Sequence, residues 1–210
     1  MKNYIFDLDG TLADTLPLCI EAFKVAIKNL TGKELTEKEI TAHFGKSEEG
    51  IIKELYPENI ELGVKEYAKT YQNLHHLCPT VFDGIIEILD ELKRQNCSIS
   101  MVTGKGPQTC PVSLEYYGIK KYFEVIKTGS PEKNVKEIRI NEVINELGYD
   151  KSETVYIGDT PTDIIDSKNV GINVYSALWK TKLEDEEKII ALKPDKIFYK
   201  TKDFINFIKQ

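Results

Sequence analysis

Short apolar segments alternate with amphipathic segments along most of the chain. The apolar segments are rich in β-branched and aromatic residues and end in Gly, Thr or Asp, a pattern typical of strands that are buried on both faces of a sheet. Between them, apolar residues recur three and four positions apart, as in helices that pack one face on a core. We predict strands at residues 4–6, 98–102, 122–127, 154–157, 172–174 and 196–199, and helices at residues 83–94, 112–117, 135–147 and 204–208.

The stretch from residue 15 to residue 80 departs from this alternation, because it shows helical periodicity and no convincing strand. Its first predicted helix covers residues 18–30, and a second starts at a capping box in residues 36–39. A third starts at Ser47 and ends before Pro57, and a fourth covers residues 61–77. We therefore predict an α/β core made of residues 1–14 and 81–210, interrupted by an all-helical cap domain of residues 15–80.

Strands that alternate with helices predict a parallel, doubly wound sheet with right-handed crossovers, a Rossmann-like α/β fold. In such sheets, ligands bind outside the carboxyl ends of the strands, where the strand order reverses. Four polar residues directly follow predicted strands, and the rule places them in one crevice: Asp7, Asp9, Thr103 and Asp159.

The bulk composition changes this picture little. The chain has 210 residues, of which 41% are hydrophobic and 30% charged, and its net charge of -6 argues against nucleic acid or an acidic membrane as a partner. We find no apolar run of membrane-spanning length, and Asp7 and Asp9 lie where the apolar core of a signal peptide would have to be. The four cysteines are scattered, which indicates reduced thiols and a cytoplasmic protein.

The pair Asp7 and Asp9 carries the first chemical signal. Two carboxylates at a strand end are too costly to bury without a partner and repel each other unless a cation lies between them. Magnesium prefers oxygen ligands, so an Asp-x-Asp pair at this place suits Mg²⁺. A solvated turn with a helix-capping Asp is the alternative that Asp-x-Asp-Gly alone would allow.

The longer string FDLDGTLADT resembles the first motif of the haloacid dehalogenase (HAD) superfamily, whose members mostly transfer phosphoryl groups through an aspartyl-phosphate. The resemblance implies that Asp7 is the nucleophile and that Asp9 is the general acid/base. GDTPTD at residues 158–163 resembles the fourth motif of that family. It implies that Asp159 binds Mg²⁺ together with Asp7 and the backbone carbonyl of Asp9, and that Asp163 orients a neighbouring residue.

Two further motifs complete the expected site. Thr103 and Gly104 fit the second motif, in which a hydroxyl and a Gly amide hold a phosphoryl oxygen. The third motif supplies a Lys that neutralises charge around the nucleophile and the phosphoryl group, and this sequence lacks its common Lys-Pro form. We assign Lys136, at the start of a predicted helix, as this catalytic and phosphate-binding residue, with Lys133 as the alternative.

The helical insertion resembles the caps that close over the active site in one subfamily. Lys46 falls where relatives present a cap loop to the site, so we list it as a substrate contact, although a solvated loop is an equal alternative. Trp179 follows the fifth strand, and packing is its more conservative interpretation.

The whole chain is similar to phosphoglycolate phosphatase-like hydrolases, which implies a Mg²⁺-dependent phosphatase of a small phosphorylated metabolite. A β-phosphoglucomutase-like phosphomutase is the near alternative, but such mutases carry an Arg shortly after the cap Gly, where this chain has Glu48 and Glu49. A nucleotidase, a pyrophosphatase and a catalytically silent binding protein stay open. We expect a monomer or a homodimer.

Overall fold

The structure is a computed structural model that describes residues 1–180 and 183–210. Six strands form one sheet in the order β3-β2-β1-β4-β5-β6, and every neighbouring pair is parallel. The strands are β1 (Asn3–Phe6), β2 (Ser98–Val102), β3 (Ile126–Lys127), β4 (Thr154–Gly158), β5 (Asn173–Ala177) and β6 (Lys196–Phe198). The strand order reverses direction beside β1, as in doubly wound folds.

Helices fill the connections between these strands. Four helices lie between β1 and β2 in the inserted region: α1 (Leu16–Thr31), α2 (Glu37–Thr41), α3 (Glu48–Leu55) and α4 (Ile60–Leu74), with a 3₁₀ turn at His75–Leu77. The core helices are α5 (Ile85–Arg94), α6 (Cys110–Tyr116), α7 (Lys136–Leu147), α8 (Pro161–Val170), α9 (Leu183–Ala191) and α10 (Thr201–Ile208). No helix in the described part of the chain combines the length and the apolar character that crossing a bilayer demands.

The central strand β1 shows how the sheet is covered on both faces. Because successive side chains of a strand point to opposite faces, Tyr4 and Phe6 pack in the cluster that contains the buried residues of α5. Ile5, between them, packs against Ile140 and Val143 of α7. All three strand residues are buried, which explains their uninterrupted apolar pattern and confirms the predicted doubly wound α/β fold.

The inserted helices pack around an apolar interior of their own. Phe23 of α1 stacks on Tyr67 of α4 with ring centroids 4.1 Å apart, and both belong to a buried cluster built almost entirely from the insertion. One polar link to the core is buried as well, because Tyr71 and His75 both contact the Ser113 hydroxyl at 2.8 and 3.0 Å. The helical nature of the insertion agrees with its pattern, whereas its exact bounds at residues 15 and 80 stay a prediction.

Two predicted elements differ from the structure, and one helix of the structure was not predicted. The third strand is shorter than residues 122–127, because Lys120–Tyr122 form a 3₁₀ turn that buries the Tyr122 side chain in the core. The helix predicted to run to residue 77 is α-helical only to Leu74. The sequence pattern also missed α9, whose charged residues leave only a narrow apolar stripe that includes the buried Ile189.

Two isoleucines of α5 offer a matched test of this packing. Ile88 is fully buried under the sheet, and Ile86, on the opposite face of the same helix, is 40% exposed. We expect Ile88→Ala to lower the free energy of unfolding by about 2–5 kcal/mol, because it removes buried methyl groups and leaves a cavity. Ile86→Ala should change it by less than about 0.5 kcal/mol. Urea denaturation measures both, and equal losses would contradict the assignment of the two faces.

Candidate active site

Three neighbouring strands deliver polar residues to one edge of the sheet. Asp7 follows β1, Thr103 follows β2 and Asp159 follows β4. Because β1 pairs with both β2 and β4 in parallel register, the three strand ends are neighbours. The fold therefore brings these three strand ends side by side at one edge of the sheet.

The Asp7 carboxylate is buried and held by contacts to both oxygens. The Leu8 amide donates to Oδ1 at 2.7 Å, and the Lys136 ammonium donates to Oδ2 at 2.7 Å. Burial raises the pKa of Asp7 to about 6, although the positive charge of Lys136 opposes that rise. The carboxylate is thus fixed in one orientation with one oxygen beside a cation.

Lys136 begins α7 and reaches back over the end of the sheet. Its ammonium also donates to Asp163 Oδ1 and lies 5.5 Å from the centre of the Tyr156 ring. Burial lowers the pKa of Lys136, but the carboxylates of Asp163 and Asp7 outweigh this effect and hold it well above its ordinary value. Lys133, the alternative, is exposed. Of the two lysines, it is Lys136 that the fold brings to Asp7.

Three carboxylates converge beside this single ammonium. Asp7, Asp159 and Asp163 each offer an oxygen within 4.8 Å of the others. Burial, followed by the charges of Asp163 and Asp7, raises the pKa of Asp159 well above its ordinary value. A divalent cation would relieve this repulsion, so the donor set fits a hard metal ion with oxygen ligands.

Asp159 and Asp163 differ in how their oxygens are used. Asp163 Oδ2 accepts from the amide and the hydroxyl of Thr160 at 2.9 and 2.7 Å, while its Oδ1 faces Lys136. Asp159 Oδ1 accepts from the Thr11 hydroxyl at 2.8 Å. The Asp163 side chain is therefore already engaged in capping α8 and holding Lys136, as its predicted orienting role requires, and Asp159 keeps more capacity for an ion.

The Asp9 side chain lies apart from this cluster. Its Oδ1 accepts from the Thr15 hydroxyl and from the Lys105 ammonium, the latter at 3.3 Å. Gly10, the next residue, adopts φ +83° and packs so closely on Asp159 that an added Cβ would lie 2.1 Å from Asp159 Oδ2. The Asp9 carboxyl is held instead by Thr15, which directly precedes α1, and by Lys105 of the core loop after β2.

Thr103 and Gly104 line a small cavity with Lys136 and with Ser47 of the inserted region. Thr103 is buried, and its Oγ1 accepts from the Lys105 amide at 3.2 Å. The Ser47 amide donates to the Ser130 carbonyl at 2.9 Å. Ser47 is only 1% exposed, and its hydroxyl has no hydrogen-bond partner among the residues that the structure describes. A polar group is thus buried beside the residues predicted to bind phosphate.

A wider cleft opens on the other side of the carboxylates. It has a volume of about 660 Å³ and is lined by Gly10, Asp159 and Thr160 of the core and by Ile20 and Lys24 of α1. This volume lies in the usual range for small-molecule sites. The cleft therefore gives the carboxylate cluster a route to solvent.

Two of the residues predicted near the site have other contacts. The Lys46 ammonium pairs with the carboxylate of Glu54 on α3. The Trp179 indole N–H donates to the Thr11 carbonyl at 3.0 Å, so this ring holds the loop that follows β1. Packing, the more conservative interpretation of Trp179, agrees with this geometry.

Sequence reasoning missed a buried pair at the edge of the site. The Lys105 ammonium lies 3.3 Å from Asp9 and 3.3 Å from Glu48 of α3. Burial lowers the pKa of Lys105, but Asp9, Cys19 and the other neighbouring groups raise it well above its ordinary value. In the sequence, the sign that could have indicated this pair is a Lys directly after Thr103 and Gly104. Glu48 resembles any acidic residue in the first turn of a helix.

Comparisons with known proteins identify relatives of this chain. Residues 4–177 match the family described as haloacid dehalogenase-like hydrolase. The pyrophosphatase PpaX of Halalkalibacterium halodurans is 27% identical over 210 residues, 99% of this chain and 97% of that protein. The phosphoglycolate phosphatase of Vibrio parahaemolyticus is 30% identical over 188 residues, 81% of each protein.

A solved structure agrees with the fold. The haloacid dehalogenase-like family hydrolase from Streptococcus pneumoniae superposes with a TM-score of 0.77 at 23% identity, and the match covers 99% of this chain and 98% of that one. At this identity the likeness concerns the fold alone.

Gly10 and Gly148 provide a matched test of the close approach at Asp159. Both have positive φ, +83° and +65°, but an added Cβ meets Asp159 only at Gly10, and nothing lies within 4 Å at Gly148. We expect Gly148→Ala to cost about 1 kcal/mol of stability through backbone strain alone. Gly10→Ala should cost clearly more in urea denaturation, because Asp159 must also move. Equal costs would contradict the close packing of Gly10 on Asp159.

Proposed function

The chain belongs to the haloacid dehalogenase-like hydrolases, and on that premise we propose that it is a Mg²⁺-dependent phosphatase acting through an aspartyl-phosphate on Asp7. Its substrate is a small phosphorylated metabolite. The observation that carries the proposal is the pairing of the buried Asp7 carboxylate with Lys136 at 2.7 Å, beside Asp159 and Asp163. A carboxylate at the surface without such neighbours would indicate only a solvated turn.

Asp7 acts as the nucleophile. The Leu8 amide and the Lys136 ammonium hold its two oxygens, so the attacking carboxylate needs little reorientation before it meets the phosphorus in line. Lys136 then stabilises the negative charge on the transferring group. Thr103 and Gly104 bind a phosphoryl oxygen in the small cavity that they share with Lys136.

Mg²⁺ would be held by Asp7, Asp159 and the backbone carbonyl of Asp9. The crowding of three carboxylates around one ammonium supports this ligand set. When bound, the ion supplies charge neutralisation at the phosphoryl oxygens. Asp163 orients Lys136, because its Oδ1 accepts from that ammonium while its Oδ2 caps the start of α8.

Asp9 serves as the general acid and then as the general base. Its carboxyl points away from the three other carboxylates, as a proton donor to the leaving group requires. After phosphoryl transfer, the same carboxyl takes a proton from the water that hydrolyses the aspartyl-phosphate. Thr15 and Lys105 hold it in place meanwhile.

The cleft beside Asp159 supports a small substrate, and the relatives are named for pyrophosphate and phosphoglycolate chemistry. The cap contains no Arg, and Lys46 is engaged by Glu54, so a carboxylate on the substrate finds less support than a compact phosphate ester or pyrophosphate. The resemblance expects an Arg shortly after the cap Gly in phosphomutases, and the presence of Glu48 and Glu49 there favours hydrolysis over a mutase reaction.

The direct test is phosphate release with and without Mg²⁺ from pyrophosphate, phosphoglycolate, sugar phosphates and nucleotides. We expect Mg²⁺-dependent turnover that favours compact compounds, and Asp7→Asn should lower kcat by at least roughly 1,000-fold because an amide cannot attack. Mass spectrometry after acid quenching should find one added phosphoryl group on the peptide that contains Asp7. A wild-type protein as inactive as Asp7→Asn on every compound would favour a mutase or a binding role.

Metal binding can be measured without turnover. Mg²⁺ should raise the free energy of unfolding of the wild-type protein by about 2.7 kcal/mol at a concentration 100 times the Kd, which is measured as an upward shift of Tm. Asp159→Asn should lose most of this shift, yet be at least as stable as the wild type without metal, because it removes one of three crowded carboxylates. The exposed Asp83→Asn is the control and should keep the full shift. An undiminished shift in Asp159→Asn would refute the ligand assignment.

A further inference from the structure

A lysine of the core is buried where the inserted helices meet the sheet. The side chain of Lys105, in the loop after β2, is fully inaccessible to solvent. Its ammonium lies 3.3 Å from Asp9 Oδ1, 3.3 Å from Glu48 Oε1, 3.4 Å from Cys19 Sγ and 4.4 Å from the centre of the Tyr71 ring. Three of these four partners belong to the cap, so the environment of this core lysine is completed by the cap.

Glu48 of the cap reaches into the core loop that follows β2. It starts α3, and its carboxylate accepts hydrogen bonds from the Gly106 amide and the Thr109 hydroxyl. A Cβ at position 106 would lie 2.3 Å from Glu49 Oε2 and 2.5 Å from Glu48 Oε2, so only Gly leaves room for these two carboxylates. The loop after β2 is therefore shaped to receive Glu48.

The cost of burying charge makes these contacts interdependent. A buried ammonium is stable only when carboxylates and other acceptors replace its water. If the cap moved away, Lys105 would lose Glu48, Cys19 and Tyr71 together and keep Asp9 alone. Its ammonium would then be free to turn to water, and the Asp9 carboxyl would lose the contact with Lys105 that holds its orientation.

We propose that Lys105 is a positioning residue that holds the Asp9 carboxyl only while Glu48 of the cap is seated beside it. Docking of the cap and orientation of the acid/base are then one event, which ties proton transfer to a closed site. The inference rests on the proposed function, because it requires Asp9 to act as the acid/base. It assigns to Lys105 and Glu48 a role in the reaction without contact to the substrate.

The chain contains a matched control pair. Lys53 of α3 and Glu132 of the core also form an ion pair between cap and core at 3.3 Å, but their side chains are 51% and 70% exposed. Exposed ion pairs of this kind contribute little to stability. Lys53→Met thus removes a cap–core ion pair while leaving Lys105, Glu48 and Asp9 untouched.

The test compares two substrates that differ in their need for an acid. An alkyl phosphate has a poor leaving group that must be protonated, whereas p-nitrophenyl phosphate leaves as a stable anion. Lys105→Met and Glu48→Gln should each lower kcat/KM for the alkyl phosphate, by roughly 100-fold for Lys105→Met and less for Glu48→Gln. For p-nitrophenyl phosphate the loss should stay within about 5-fold, and Lys53→Met should match the wild type on both.

Two further measurements complete the design. Asp9→Asn should show the same selective loss as Lys105→Met, and the double variant Lys105→Met with Glu48→Gln should lose no more than Lys105→Met alone, because both act through one carboxyl. Amide hydrogen exchange at residues 104–109 should accelerate in Glu48→Gln and remain unchanged in Lys53→Met. If Lys105→Met does not fold, Glu48→Gln decides the question by itself.

Each outcome has a distinct meaning. Equal losses on both substrates in folded Lys105→Met, or no selective loss in Glu48→Gln, would overturn this inference and leave the phosphatase proposal intact. A wild-type protein that hydrolyses neither compound with Mg²⁺, or an Asp9→Asn variant without the selective loss, would overturn the proposed roles themselves and this inference with them.

Discussion

The site depends on packing three carboxylates, two of them buried, around one ammonium at the end of a parallel sheet. Asp7, Asp159 and Asp163 would repel one another strongly in a medium of low dielectric constant, and Lys136 neutralises only part of their charge. Burial is the main cause that raises the pKa of Asp7 to about 6, and the charge of Asp163 adds to the rise. The cluster therefore carries an excess of negative charge, which a divalent cation would neutralise before a phosphoryl group is transferred there.

The cap imposes a second constraint on the same edge of the sheet. Its interior is apolar, with Phe23 and Tyr67 stacked at its centre, but the surface that it turns to the core combines apolar contacts with Val112 and Tyr117 and several polar groups. Ser47 and Glu48 enter the core loops there, and Lys105 meets them from the other side. Because buried polar groups are stable only when paired, this surface permits few positions of the cap.

Much of the candidate site could be predicted because strand ends carry it. Asp7, Thr103 and Asp159 each follow an apolar strand, and in a parallel sheet neighbouring strand ends must meet. The choice of Lys136 over Lys133 was less certain from the pattern, since both lie within one turn of the start of α7. Only the direction of that helix relative to the sheet brings Lys136, rather than Lys133, to Asp7.

By itself, the sequence determined the doubly wound fold, the helical insertion and the residues at the strand ends, because hydrophobic periodicity and turn residues are local properties. The tertiary structure decided what the periodicity does not encode. It turned Lys46 to Glu54, placed Trp179 on the Thr11 carbonyl and buried Lys105 beside Glu48, 57 positions earlier in the chain. Such contacts depend on how two separately packed units meet, and desolvation of their charges, rather than local pattern, selects the partners.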